Sequence, residues 1–312
     1  MKKFSILRKK LEPQYIKDVT FCCSFLLLFS FLSFAFTILL KIIGMHGNEM
    51  FGTASLLYCA TTIIILLILD KRNKDIYPKI KPEKPTATSF LKLFSVMFFS
   101  MIIFTTPVIL LDFILYFFGL TIQSIGRANE FSDSITDFIY VSFVGPITEE
   151  LIFRWFVQKK LQKYSPVIAV ITSAICFALF HANFGQIFPM IGTGLVLGYA
   201  AYKFSVKFSI LMHITYNLVF GELFGMLTEI LKNGNEEYVI PIINMSPFVL
   251  TVLFFSVIGC FVLFKYASKE TNFFTKYNIK AKKLINLFKS PTFILFFTYA
   301  ITFSIFFIKK IS

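Results

Sequence analysis

Three short polar insertions interrupt the otherwise oily stretches of this chain: Glu149-Glu150-Leu151-Ile152-Phe153-Arg154, Phe177-Ala178-Leu179-Phe180-His181 and His213-Ile214-Thr215-Tyr216-Asn217. Ionisable groups inside membrane-spanning segments are expensive, which makes them functional candidates by default. On a helix, residues four apart share a face, whereas adjacent residues point about 100° apart. Glu150 and Arg154 are therefore placed to pair, and the planar guanidinium can hold a carboxylate with two bonds. Glu149 points elsewhere and stays free for proton transfer. One carboxylate, two imidazoles (His181 and His213) and the Asn217 amide form a set able to activate water and stabilise an oxyanion, which is hydrolase equipment. The chain has neither HExxH nor GxSxG, so the usual zinc-protease helix and the serine nucleophile elbow are absent. Plainer readings of the same residues are an interfacial ion cluster for Glu149, Glu150 and Arg154, and helix-to-helix hydrogen bonding for each histidine. His46, in a short loop, reads as a surface residue.

The frame that must position these groups is membranous. Of 312 residues 56% are hydrophobic, 43 are phenylalanine and only 15% are charged. An ordinary soluble domain carries nearer a quarter charged residues. Several apolar runs approach the roughly 20 residues that cross a bilayer as a helix, and they lack the alternation of barrel strands. The expected spans are about 19–43, 51–69, 94–118, 135–156, 166–181, 187–202, 208–227, 247–264 and 292–308. The first is too long for a signal peptide and is read as retained. The fold class is thus an all-α polytopic membrane protein, a bundle of about eight to nine transmembrane helices with an intramembrane active site. It forms one domain over 1–312, with core helices at 135–227 and a basic amphipathic cytoplasmic segment at 265–290. Gly192, Gly194 and Gly198 suit close helix approach.

The net charge of +14 follows from topology. Alternate connections hold 25 lysines and arginines on one side, against Arg127 and Lys232 on the other. The positive-inside rule makes the rich side, with the amino terminus, cytoplasmic, and no nucleic-acid partner is needed to explain the charge. Lys309 and Lys310 break the pattern if the ninth span crosses. The five cysteines, Cys22, Cys23, Cys59, Cys176 and Cys260, lie in apolar runs without metal-ligand spacing and read as reduced packing residues. Asp112 and Glu222 could line a transport pathway, but Asp112 reads better as a paired or interfacial residue.

In order and on successive apolar helices, Glu149-Glu150-x-x-x-Arg154, Phe177-x-x-x-His181 and His213-x-x-x-Asn217 resemble the signature motifs of the CPBP intramembrane protease family. That family includes the CAAX prenyl endopeptidases and the bacteriocin-processing and immunity (Abi) proteins. The resemblance spans about 143–220, including the small-residue stretch and Ser209, with Trp155 where many members carry Gly. It implies a membrane endopeptidase in which Glu149 and His181 orient and deprotonate water, His213 and Asn217 hold the oxyanion, and Glu150 and Arg154 support the site. Two versions stand side by side: a metal-free glutamate and histidine pair, or Zn²⁺ on Glu149, His181 and His213, making a metalloprotease. The implied partners are membrane lipid and a peptide or membrane-protein substrate, in bacteriocin or pheromone maturation or self-immunity. The Lys-, Ile- and Phe-rich composition suits the plasma membrane of a low-GC Gram-positive bacterium. The alternative function is a non-catalytic membrane regulator or immunity protein that binds a partner through the same bundle. At ~1.5 Å per residue His181 lies about 22 Å from Pro166, against on the order of 10 Å from the span ends for Glu149 and His213. The fifth helix is therefore expected to tilt or to extend into the cytoplasm.

Overall fold

A computed structural model describes residues 2–72, 82–122, 132, 134–223, 252–265, 282–306 and 308–310. Most of the basic segment expected at 265–290 lies outside these residues. In the described part helix dominates. The elements are α1 (Lys2–Ile42), α2 (Asn48–Arg72), α3 (Ala87–Tyr116), β1 (Leu120–Ile122), α4 (135–161), α5 (Pro166–Phe180), α6 (Phe184–Lys203), α7 (Val206–Tyr216, continued through Leu223), α8 (Val252–Lys265), α9 (Pro291–Ile305) and β2 (Ile308–Lys310). Stretches of α1, α2, α3 and α6 are long and apolar enough to cross a membrane, and α5, α8 and α9 are shorter apolar helices. The chain is a multi-pass membrane protein. Its exposed Phe, Leu and Ile side chains are those of a surface solvated by lipid.

Local sequence sets most boundaries. Ser165, Ser205 and Ser290 cap α5, α7 and α9 by accepting the N–H three residues on, and Pro166 and Pro291 fill the first turn, where no N–H is required. The core packs α5 against α6, and α6 against α3. Glycine permits this: a Cβ on Gly192 would lie 2.9 Å from the Phe104 ring and 3.0 Å from the Ser100 carbonyl oxygen, and one on Gly198 would lie 2.9 Å from Gln158 Oε1.

Basic and acidic groups fasten the ends. Near the start of α5, the buried Asp18 carboxylate takes a bond from the Tyr164 hydroxyl (2.5 Å) and pairs with Lys163 (2.7 Å) and Lys160 (3.9 Å). Burial and the Asp18 carboxylate together hold the Tyr164 phenol above its ordinary pKa range. Thr20 and Ser290 meet at 2.9 Å, so α9 starts beside this cluster. At its far end β2 pairs antiparallel with β1, Leu120 opposite Lys310 and Ile122 opposite Ile308. Since β1 follows α3, which begins where the Glu83 N–H meets the Lys203 carbonyl on the basic face, α9 runs from the basic face to the opposite one. Lys309 and Lys310 break the charge pattern and are accommodated in a strand pair.

Asp112 ties β1 to α3: its Oδ1 accepts from Thr121 Oγ1 (3.0 Å) and the Ile122 N–H (2.7 Å). Glu222 is likewise held by Ser132. His46 is exposed, and among the cysteines four are buried and Cys260 is partly so.

Candidate active site

The first insertion sits in a helix of changing pitch. Within α4, Tyr140–Val144 and Leu151–Gln158 are π-helical, and Gly145–Glu150 between them is α-helical. A third π stretch, Asn217–Leu223, begins at the last motif residue. Such widened turns recur at functional sites. Sequence periodicity does not reveal them, because it assumes one pitch.

Glu150 is wholly buried and fully engaged. Arg154 Nε reaches its Oε2 at 3.2 Å, the Ser209 hydroxyl reaches the same oxygen, and the His213 Nδ1–H donates to Oε1 at 3.1 Å. The expected two-pronged Arg154–Glu150 contact is a single bond, with His213 on the other carboxylate oxygen. Arg154 turns its Nη1 to Ser173 Oγ (2.9 Å), whose own proton goes to the Phe153 carbonyl (2.7 Å), and its guanidinium carbon lies 5.0 Å from the centre of the Phe177 ring. Gln158, one turn further, donates to the Gly198 carbonyl at 2.9 Å.

Glu149 differs from its neighbour. Its side chain is 22% exposed, and its Oε2 lies 3.7 Å from His213 Nε2. This is ion-pair distance but beyond a hydrogen bond. His213 thus has one nitrogen fixed by a buried carboxylate and the other turned toward a free one.

His181 caps α5, and its Nδ1–H donates to the Phe177 carbonyl at 2.9 Å. A carbonyl can only accept, so Nδ1 carries the proton and Nε2 of the neutral ring is an acceptor. The turn that follows is buried rather than at a surface, with Ala182 at φ +46° in the left-handed region and Asn183 capping α6. The strain of a non-glycine residue there is typical of functional turns. The fifth helix ends at this internal turn. The Phe177 ring meets both imidazoles edge to face, with centroids 4.9 Å from His181 and 5.8 Å from His213. Among the described residues no hydrogen bond joins His181 to Glu149.

Asn217 spends one amide hydrogen on the Val141 carbonyl at 2.8 Å, tying α7 to the first π stretch of α4, and the other meets no partner among the described residues. Trp155 is partly buried and packs against the main core, with Lys159 Nζ 5.8 Å from the centre of its ring.

As arranged, Glu149, His181 and His213 do not form a metal-holding set: no group of three His, Cys, Asp or Glu side chains among the described residues is gathered closely enough. The donor geometry fits proton transfer.

The site tests its own packing at Gly194, where a Cβ would lie 3.1 Å from Ala174 Cα and 3.1 Å from the Phe177 ring. Gly194→Val is expected to cost about 1–3 kcal/mol by overpacking and to displace the ring that both histidines touch. A heat step followed by size-exclusion chromatography reads the first effect, and loss of activity out of proportion to folded protein reads the second.

Residues 131–219 match the family of Rce1-like type II CAAX prenyl endopeptidases, a stretch that contains all three insertions. The match bears out the resemblance read from the motifs and supports an intramembrane protease of the CAAX type. No curated protein and no solved structure matches the chain.

Proposed function

We propose that the chain is an intramembrane endopeptidase whose Glu149 carboxylate activates water against a peptide bond of a membrane-associated peptide or protein. The observation that carries this reading is the unequal fate of two adjacent glutamates. Glu150 is spent on Arg154, Ser209 and His213, whereas Glu149 is accessible and faces His213 Nε2.

In the proposed reaction Glu149 takes a proton from water as the water oxygen bonds to the scissile carbonyl carbon, with the acceptor Nε2 of His181 as a second hold on that water. The carbonyl oxygen becomes an oxyanion. It is met by the uncommitted Asn217 amide hydrogen and by Nε2–H of His213 when that ring is doubly protonated. The carbon–nitrogen bond then breaks, and the Glu149 proton passes to the leaving amine. Glu150, Arg154, Ser173 and Ser209 orient His213 without touching substrate.

The basic connections support a cytoplasmic amino terminus, and the composition supports a bacterial plasma membrane, where bacteriocin or pheromone precursors and self-immunity peptides are fitting substrates. Peptidomics of cells carrying the wild-type or the Glu149→Ala protein tests the reading. A membrane-associated peptide cut only with the wild type is expected. An identical peptide profile, together with a biological effect that survives in the variant, would instead favour a regulator or immunity protein that acts by binding.

A further inference from the structure

A glycine and a proline, Gly145-Pro146, stand inside α4 shortly before the two glutamates. Both are buried, and no step of the proposed reaction uses them. Proline within a helical ladder is costly, because it has no N–H to give to the preceding turn. Here the ladder changes pitch at that point. The Gly145 N–H goes to the Tyr140 carbonyl, five residues back, and closes the first π stretch of α4. Only glycine suits this closure, since a Cβ at 145 would stand 2.8 Å from the same carbonyl oxygen.

Together the pair strips the Val141 carbonyl of backbone partners. At α pitch its donor would be the N–H of Gly145, which is given to Tyr140 instead; at π pitch it would be the N–H of residue 146, which proline lacks. An unpaired carbonyl in an apolar setting is costly. The partner this one has is Asn217 of α7, whose Nδ2 donates to it at 2.8 Å. A carbonyl can only accept, so the contact settles which end of the amide faces α4: the nitrogen is turned to Val141, and its second hydrogen is held beside it in the amide plane. The seating of α7 is reinforced at Gly221, one turn beyond Asn217, where a Cβ would lie 3.9 Å from Val141 Cγ1.

We propose, on the peptidase reading above, that Pro146 is a positioning residue for Asn217: by withholding an N–H from Val141 it reserves that carbonyl for the Asn217 amide and so aims the second amide hydrogen at the oxyanion. Pro146 itself touches no substrate. Alanine at 146 supplies the missing N–H, which competes for the Val141 carbonyl and releases the amide to rotate.

The test uses the full chain in liposomes with two internally quenched probes, a peptide bearing a farnesylated cysteine four residues from its carboxyl end and an unprenylated amphipathic peptide of equal length. Wild type, Glu149→Gln, Pro146→Ala, Asn217→Ala and the double variant Pro146→Ala with Asn217→Ala are compared, together with a protein carrying lactate, the ester analogue of alanine, at position 146. Asn217→Ala is expected to lower kcat about 100-fold, the loss typical of one oxyanion donor. Pro146→Ala should lower kcat about 10-fold with KM little changed, as a misaimed group does. The double variant should be no slower than Asn217→Ala alone and should survive a heat step better, because residue 146 then feeds the carbonyl that Asn217 has left. Lactate, with neither an N–H nor a ring, should restore most of the activity that alanine loses. Pro146→Ala at wild-type kcat overturns the role of Pro146 while leaving the peptidase intact. Losses that multiply in the double variant, or a lactate protein as slow as the alanine one, also overturn it, since packing of the ring then suffices. A wild type no faster than Glu149→Gln on either probe overturns the peptidase reading and the role of Pro146 with it.

Discussion

Glu149→Gln is expected to lower peptide cleavage by about 1,000-fold, within the range for losing a general base, while thermal stability stays within about 0.5 kcal/mol of wild type. The separation of the two effects follows from the surroundings of the side chain. Glu149 is 22% exposed and His213 Nε2 stands 3.7 Å away, beyond a hydrogen bond, so no buried hydrogen bond among the described residues is lost when the charge goes. Glutamine keeps the shape and one carbonyl oxygen but cannot accept the proton of the attacking water. Quenched-peptide turnover and the fraction surviving a heat step, measured on the same preparation, check both halves. Retained turnover would mean that another group is the base. Coupled loss of turnover and folded protein would mean that Glu149 belongs to the scaffold.

Much of this geometry was legible in the sequence through four-residue spacing. Glu150 with Arg154, Phe177 with His181 and His213 with Asn217 each define a helix face, and the brace and the free carboxylate divide as that rule predicts. The rule reaches one turn further than the motifs themselves. Gln158, Ser173 and Ser209 extend the three faces by four residues each, all toward the basic side, and each hydrogen-bonds into the site or a neighbouring helix. Other features were not legible in the sequence. Three π-helical stretches depend on tertiary packing that widens turns, and the buried turn after His181 places Ala182 in a conformation that its residue type does not advertise. The contact of His213 with Glu150 joins residues 63 positions apart, which no local periodicity can reveal. The crossing of the ninth helix rests on a strand pair between Leu120–Ile122 and Ile308–Lys310, short segments whose composition reads as the ends of apolar helices.

Arg154→Leu is expected to be among the most destabilising single changes in the chain, at about 3–5 kcal/mol, because it strands the Glu150 charge in a site with no solvent access. Ser209 and His213 remain as donors, and they soften this loss without supplying a permanent positive charge. Replacing both members, Glu150→Leu with Arg154→Leu, removes the stranded charge, and buried pairs exchanged for apolar residues are often neutral or even stabilising. The double variant should therefore recover most of the thermal stability that Arg154→Leu loses. It should not recover activity. His213 Nδ1 loses the carboxylate that fixes its proton and its orientation, so Nε2 is no longer held toward Glu149, and turnover is expected to stay down by about 10- to 100-fold, the scale of losing an orienting partner. Heat-step survival and peptide cleavage on wild type, Arg154→Leu and the double variant separate the two contributions. Activity that returns together with stability would make the buried pair purely structural, and the fixed tautomer of His213 would then carry no part of the chemistry.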